Sequence, residues 1–136
     1  MSTAISALRR AIQAHLAADA ALTALIGPGR IHDEPPRAAK GVYVVHGEVD
    51  AQDWSTGSDH GCEQRFALIV WAEESASARL ALDAAGAIVA ALRNAALPLD
   101  GHRLVSLRWL SSRLAREPRS RLHQVTLRFR AVTEDL

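Results

Sequence analysis

The sequence predicts an α+β domain of two layers, in which helices pack on one face of a mostly antiparallel sheet of about four strands. Two observations predict this fold. Apolar residues recur at helical spacing in two stretches, and shorter segments between and after them read as strands. The elements follow the order helix, hairpin, helix, hairpin. At 136 residues the chain is expected to form a single domain, residues 1–136.

The first helical stretch begins at Ser2 or Thr3, because a hydroxyl at this position can accept a hydrogen bond from an unpaired amide of the first turn. Asp19 is expected to cap a second, short helix, which Gly27-Pro28-Gly29 ends. The residues expected to face the core are Ile5, Leu8, Ala11 or Ile12, Leu16, Leu22, Leu25 and Ile26.

The first hairpin follows a connector, Ile31–Arg37, whose two prolines favour extended backbone and at most a short edge pairing. Val42–Val49 and Glu63–Trp71 are the predicted strands, and the polar stretch Asp50–Gly61 is the predicted loop between them. Both faces of the second strand are largely apolar. This predicts helices on one face and a neighbouring molecule on the other.

The third helix is expected to open at Glu73-Glu74-Ser75, with Ser75 as its cap. An alanine-rich stripe then predicts close packing on the sheet. Its residues are Ala81, Ala84, Ala85, Ile88, Ala91, Leu92 and Ala95.

The second hairpin consists of Arg103–Leu110 and Leu122–Val132, joined by a loop, Ser111–Arg121, that is expected to be mobile. Alternation in the last strand is the clearest in the chain and predicts one wet face. The residues predicted to share a face are Val105, Leu107 and Trp109 in the third strand, and Val125, Leu127, Phe129 and Ala131 in the fourth.

Composition restricts the class of protein. A single cysteine, Cys62, excludes an intrachain disulfide, and its surroundings favour an incidental thiol. No apolar run approaches the ~20 residues of a membrane span, and no signal peptide is apparent, so a soluble protein that is cytoplasmic where it is made is expected. Residues 1–102 contain eight Lys/Arg and twelve Asp/Glu (net −4), whereas residues 103–136 contain eight Arg and three acids (net +5). Opposite charges on two regions suit head-to-tail contacts.

Histidine and carboxylate side chains around the first hairpin have the ligand types of a metal site, but they lack the spacing that would hold a defined geometry. A solvated loop is the preferred interpretation, and no cofactor or metal is predicted. The residues considered are His46, Asp50, Asp53, Asp59 and His60.

No catalytic signature is present in the sequence. There is no Gly-x-Ser-x-Gly elbow, Cys62 lacks a flanking motif, and Gly27–Arg30 lacks the Lys-Ser/Thr end of a phosphate loop. The prediction is that the chain is not an enzyme, with a small metal-dependent enzyme left as a distant alternative.

Arg108, Arg128 and Arg130 alternate along strands and are expected to share one sheet face, which would suit a phosphate backbone. The only aromatic expected nearby is Trp109, on the opposite face from Arg108, so the stacking surface of single-strand binders is missing. A nucleic-acid-binding accessory domain is therefore an alternative and not the preferred function.

Trp54 lies in the polar loop between Asp53 and Ser55-Thr56, where an aromatic side chain has little access to a core. Exposed aromatics in loops are candidate interface anchors. These four residues, with Arg108, Arg128 and Arg130, are the predicted protein-contact residues. Trp71 and Trp109 lie in strands and are expected to be structural.

The order and spacing of several pieces resemble the phage tail-completion, or tail-terminator, family, which occurs in long-tailed phages and gene transfer agents. The resemblance covers nearly the whole chain, although no single piece is specific. The pieces are Asp19–Gly27, Arg30–Pro36, Asp53–Thr56, Val70-Trp71, Leu99–Val105 and Leu127–Glu134.

The resemblance implies a structural neck protein without catalysis. Its copies would form a ring, usually a hexamer, at the head-proximal end of the tail tube. The ring would stop tube growth and contact the head-completion, or stopper, protein, with DNA only as passing cargo and no membrane partner. Another neck or connector protein is the nearest alternative.

Overall fold

The described residues form three helices and a five-stranded mixed sheet. The structure is a computed structural model that describes residues 3–37, 40–73 and 76–136. Within these residues the sheet order is β1-β2-β3-β5-β4, and all neighbours are antiparallel except β1 and β2. The elements are α1 (Ala4–Ala17), α2 (Ala20–Ile26), β1 (Ile31–His32), β2 (Val42–Asp53), β3 (Gly61–Ala72), α3 (Ala78–Leu92), β4 (His102–Arg116) and β5 (His123–Asp135).

The expectation of a mostly antiparallel sheet of about four strands fits only in part, because the sheet is mixed and has five strands. The short edge pairing at the connector is a fifth strand, in which Ile31 lies opposite Val44 and His32 opposite Val45 in parallel register. Gln13 of α1 donates a hydrogen bond to Ile31 O at 3.2 Å, which holds this edge against the helix layer.

Each helix begins at a side chain that accepts an amide hydrogen bond, as the sequence predicted for the first two. Thr3 accepts from Ser6 N at 3.2 Å and Asp19 from Leu22 N at 2.9 Å. The third cap is Ser77, which accepts from Leu80 N at 3.1 Å. The helix begins at Ala78, after this cap, and the predicted cap, Ser75, lies outside the described residues.

The core lies between the helices and one face of the sheet, and the predicted stripes of α1, α3 and β5 supply it. Phe66 of β3 stacks on Phe129 of β5 with ring centroids 5.3 Å apart, at the centre of that face. The fully covered core residues include Leu8, Ile12, Leu16, Leu22, Val44, Leu68, Val70, Ile88, Leu92, Val125 and Leu127.

Both predicted loops are shorter than expected. Strand β2 continues to Asp53, and the chain then turns tightly at Gly57 and Ser58, where Thr56 and Asp59 exchange two backbone hydrogen bonds. Strand β4 continues to Arg116. The first half of the segment expected to be a mobile loop, Ser111–Arg116, is therefore paired strand. Both hairpins extend as paired strands well beyond the predicted boundaries.

Candidate interaction surfaces

The face of the sheet turned away from the helices carries a row of charged side chains, here called the open face. Register places Asp50, Arg65, Arg130 and Arg108 opposite one another across β2, β3, β5 and β4. Arg128 lies one pair along β5 on the same face, and its guanidinium is 3.4 Å from Glu48. The three predicted arginines therefore share one face of the sheet. Acidic side chains lie beside them on that face.

Glu63 is the centre of this surface. Its side chain is 5 % exposed and holds Arg130 through contacts of 2.6 and 2.8 Å, while Gln52 donates to its other oxygen at 2.8 Å. The hydrogen bond from Arg130 is the main reason that the pKa of Glu63 lies below its usual value. Arg130 is thus a structural partner of a buried carboxylate, whereas Arg128 is half-exposed and bridges only to an exposed acid.

Trp54 lies over this pair. Its ring is 5.1 Å from the Arg130 guanidinium, a cation–π contact, and the residue remains 47 % exposed. The expectation that Trp109 is the only aromatic near these arginines was wrong, because the hairpin brings Trp54 onto the open face. A half-exposed tryptophan with one cation–π contact is a suitable anchor for a protein partner.

The other predicted loop residues shape the hairpin end instead of projecting from it. Ser55 Oγ donates to Asp53 Oδ1 at 2.6 Å and accepts from Gly61 N at 3.3 Å. Thr56 belongs to the turn through its backbone pairing with Asp59. Of the four loop candidates, Trp54 is the one whose side chain is presented outward over the sheet.

A second surface was missed from the sequence. Strand β4 exposes Val105, Trp109, Leu110 and Leu114, each between 44 and 49 %. Trp109 was expected to be structural, and that expectation was wrong. The signal that could have found it is the run of aliphatic residues in a segment otherwise rich in arginine.

The residues considered for a metal site do not come together. Among the described residues, no three His, Cys, Asp or Glu side chains are grouped as metal ligands. His46 is buried and lies 2.9 Å from Gln13 Oε1 between α1 and β2. Burial, followed by Asp135, Asp53 and Glu63, raises the pKa of Cys62, which disfavours the reactive thiolate.

No helix of the described residues is long and apolar enough to cross a membrane. The exposed aromatic and aliphatic side chains of these surfaces are of the kind that contact other macromolecules.

A family model described as "Tail completion protein gp17" matches residues 10–134. The chain belongs to this tail completion family. A solved structure titled "Virion of native gene transfer agent (GTA) particle" contains a chain that is 34 % identical, with a TM-score of 0.87, over 98 % of this chain and 99 % of that one. A comparison with curated proteins found no match.

Proposed function

We propose that this chain is a tail terminator of a phage-like particle. Its copies form a ring, a hexamer, on the head-proximal end of the tail tube, where the ring stops polymerisation and offers a surface to the stopper protein. The mechanism is geometric, since a closed ring that covers the last tube layer removes the site where the next layer would add. Assembly takes place in the host cytoplasm, before the protein becomes part of the particle.

The observation that carries this proposal is the likeness to a chain of a gene transfer agent virion over essentially the full length of both chains, at 34 % identity. Membership of a tail completion family supports the same role.

Within this role, Trp54 is the anchor toward the tube or an adjacent copy. It stands at the end of the β2–β3 hairpin and is supported from below by Arg130 and Glu63. Because its ring is held by that pair, little side-chain freedom is lost when a partner covers it.

Replacing Trp54 with Ala tests the function. In cells that produce the particle and lack the native chain, the variant should give overlong tails and fewer head-joined tails in electron micrographs. The fold should persist, since loss of an exposed cation–π contact costs about 1 kcal/mol. The melting temperature of the purified variant measures this.

Leu82→Ala is the matched control, because Leu82 is 45 % exposed on helix α3, away from the open face. It should give tails of normal length. Normal tail length and normal head joining in Trp54→Ala would remove the anchor role. Normal tail length in cells that lack the chain altogether would remove the terminator function itself.

A further inference from the structure

Strand β4 carries an uncovered apolar surface. Of the eight large hydrophobic side chains that are exposed among the described residues, four lie on this one strand. They are Val105, Trp109, Leu110 and Leu114, here called the β4 stripe. Clustering of exposed hydrophobic side chains on one element marks an interaction site more often than scattered exposure does.

The register explains the exposure. Trp109 lies opposite Phe129 and Leu114 opposite Val125, and both β5 partners are fully buried in the core. Paired residues of antiparallel strands point to the same face, so Trp109 and Leu114 point to the helix side. The helices cover β5 on this face but leave the outer half of β4 exposed. Trp109 and Leu114 therefore continue the apolar face of the core onto a part of the sheet that no described helix covers.

The other two residues of the stripe lie at β-bulges. Register shifts between Leu104 and Ser106 and between Trp109 and Ser111 leave Val105 and Leu110 without a partner residue on β5. Bulges also twist an edge away from continuous pairing with another strand. The contact offered here is therefore made by side chains, and Trp109 Nε1 already has its hydrogen bond, to Ser112 Oγ at 3.0 Å.

The distribution of charge indicates which partner would bind the β4 stripe. Residues 103–130 contain eight arginines and one acid, Glu117, which is engaged in the hairpin turn by accepting from Ser120 N at 2.6 Å. At the other end of the sheet, residues 47–59 contain four acids and no Lys or Arg. Strand β1 pairs with Val44 and Val45, and Arg9 of α1 donates to Gly47 O at 3.0 Å. Among the described residues, no strand pairs with this edge of β2 from Glu48 to Asp53.

We propose that the β4 stripe of one copy binds the acidic outer half of β2, residues 47–53, of a second copy. Complementary surfaces at opposite ends of one sheet make a head-to-tail contact, which each copy can repeat with the next. This inference rests on the proposed function only for the closing of such contacts into a ring.

The test uses two double variants, each disabling one surface. Trp109→Ser with Leu114→Ser removes the stripe, and Glu48→Lys with Asp50→Lys reverses the acidic edge. All four positions are exposed or half-buried on the surface, so the folds should persist with near-native melting temperatures. Leu82→Ser with Asp83→Lys, on the exposed side of α3, is the matched control.

Native mass spectrometry and sedimentation velocity in low salt, up to the highest soluble concentration, give the readout. The wild-type chain and the control should form concentration-dependent oligomers. Each double variant alone should self-associate roughly tenfold or more weakly. An equimolar mixture of the two should form heterodimers that do not grow, because one intact surface remains on each partner.

Undiminished self-association of either double variant, absence of heterodimers in the mixture, or a wild-type chain that stays monomeric throughout would each overturn the contact. The tail-length assay separates this failure from failure of the function. If the proposed contact is refuted but cells lacking the chain make overlong tails, the terminator role stands and the copies must contact each other through a different surface.

Discussion

His46 makes a buried polar contact between the helix layer and the sheet. Its ring lies 2.9 Å from Gln13 Oε1, and the residue is 7 % exposed. Burial lowers the pKa of His46 to about 4, with a smaller contribution from the positive charge of Arg9. The folded protein therefore holds the neutral imidazole at pH values where the unfolded chain would protonate it.

This predicts a pH dependence of stability. The folded-state pKa lies below the unfolded value of 6.5, so the stabilisation is complete above pH 6.5 and is lost as the pH falls toward about 4. The loss should be on the order of 2 kcal/mol between pH 7 and pH 4.5. Urea unfolding at several pH values measures it.

The matched variant is His46→Gln, which keeps a polar side chain but does not titrate. Its unfolding free energy should change less over the same pH range than that of the wild-type chain. Parallel curves for the two proteins would show that another group is responsible for the acid sensitivity.

Sequence reasoning treated His46 as a metal-ligand candidate because residue type alone does not reveal the partner. The partner, Gln13, lies on α1, 33 positions away in sequence. In contrast, the caps Thr3 and Asp19 were predictable, because their hydrogen bonds join residues three apart. Local contacts can be derived from sequence spacing, whereas a contact across two layers requires their packing.

At the scale of elements, the β2–β3 hairpin depends on a close approach of the two chains next to its turn. A Cβ added to Gly61 would lie 2.7 Å from Trp54 O and 3.2 Å from Thr133 O, both backbone atoms that cannot rotate away. Gly61→Ala should therefore separate the strands near Trp54 and lower the melting temperature by roughly 5 °C or more. Differential scanning calorimetry measures this shift.

Gly86→Ala is the corresponding control. Gly86 lies exposed within α3, and an added Cβ there would meet no atom within 4 Å. Since alanine favours helix over glycine by about 1 kcal/mol, this variant should melt at the same or a slightly higher temperature. Equal melting temperatures for the two variants would mean that the hairpin accommodates the added methyl group at residue 61 without loss of stability.

The strands of the core were predictable because their alternation is regular, as in β5, where every predicted inward residue is buried. The outward-facing apolar residues of β4 were not, since two bulges interrupt the period of this strand. Pro118 and its neighbours indicated a loop, and a turn is indeed there, but it spans only the residues between Arg116 and His123. Bulges shift the phase of a strand, so period-based prediction fails beyond them.

At the scale of the whole molecule, the charge separation has two possible uses, contact between copies or contact with DNA. The structure favours the first, because several open-face arginines already have carboxylate partners. Arg65 and Arg130 contact Glu63, Arg128 contacts Glu48, and Arg103 contacts Glu134. A phosphate backbone would have to displace these acids or bind beside them.

The free chain should therefore bind DNA only weakly and without sequence preference, with a Kd of roughly 10–100 µM near physiological salt. Fluorescence anisotropy with labelled single-stranded and double-stranded oligonucleotides over a salt series measures this. Trp54→Ala should leave the affinity unchanged within about twofold, because an aromatic that anchors a protein partner does not stack on bases. If it did stack, its loss would cost ~1–3 kcal/mol per base. Nanomolar binding that falls steeply with salt and is lost in Trp54→Ala would instead make the open face a nucleic-acid surface. The β4 stripe would then be the remaining candidate for contact between copies, since Trp109 and Leu114 lie on the helix side of the sheet.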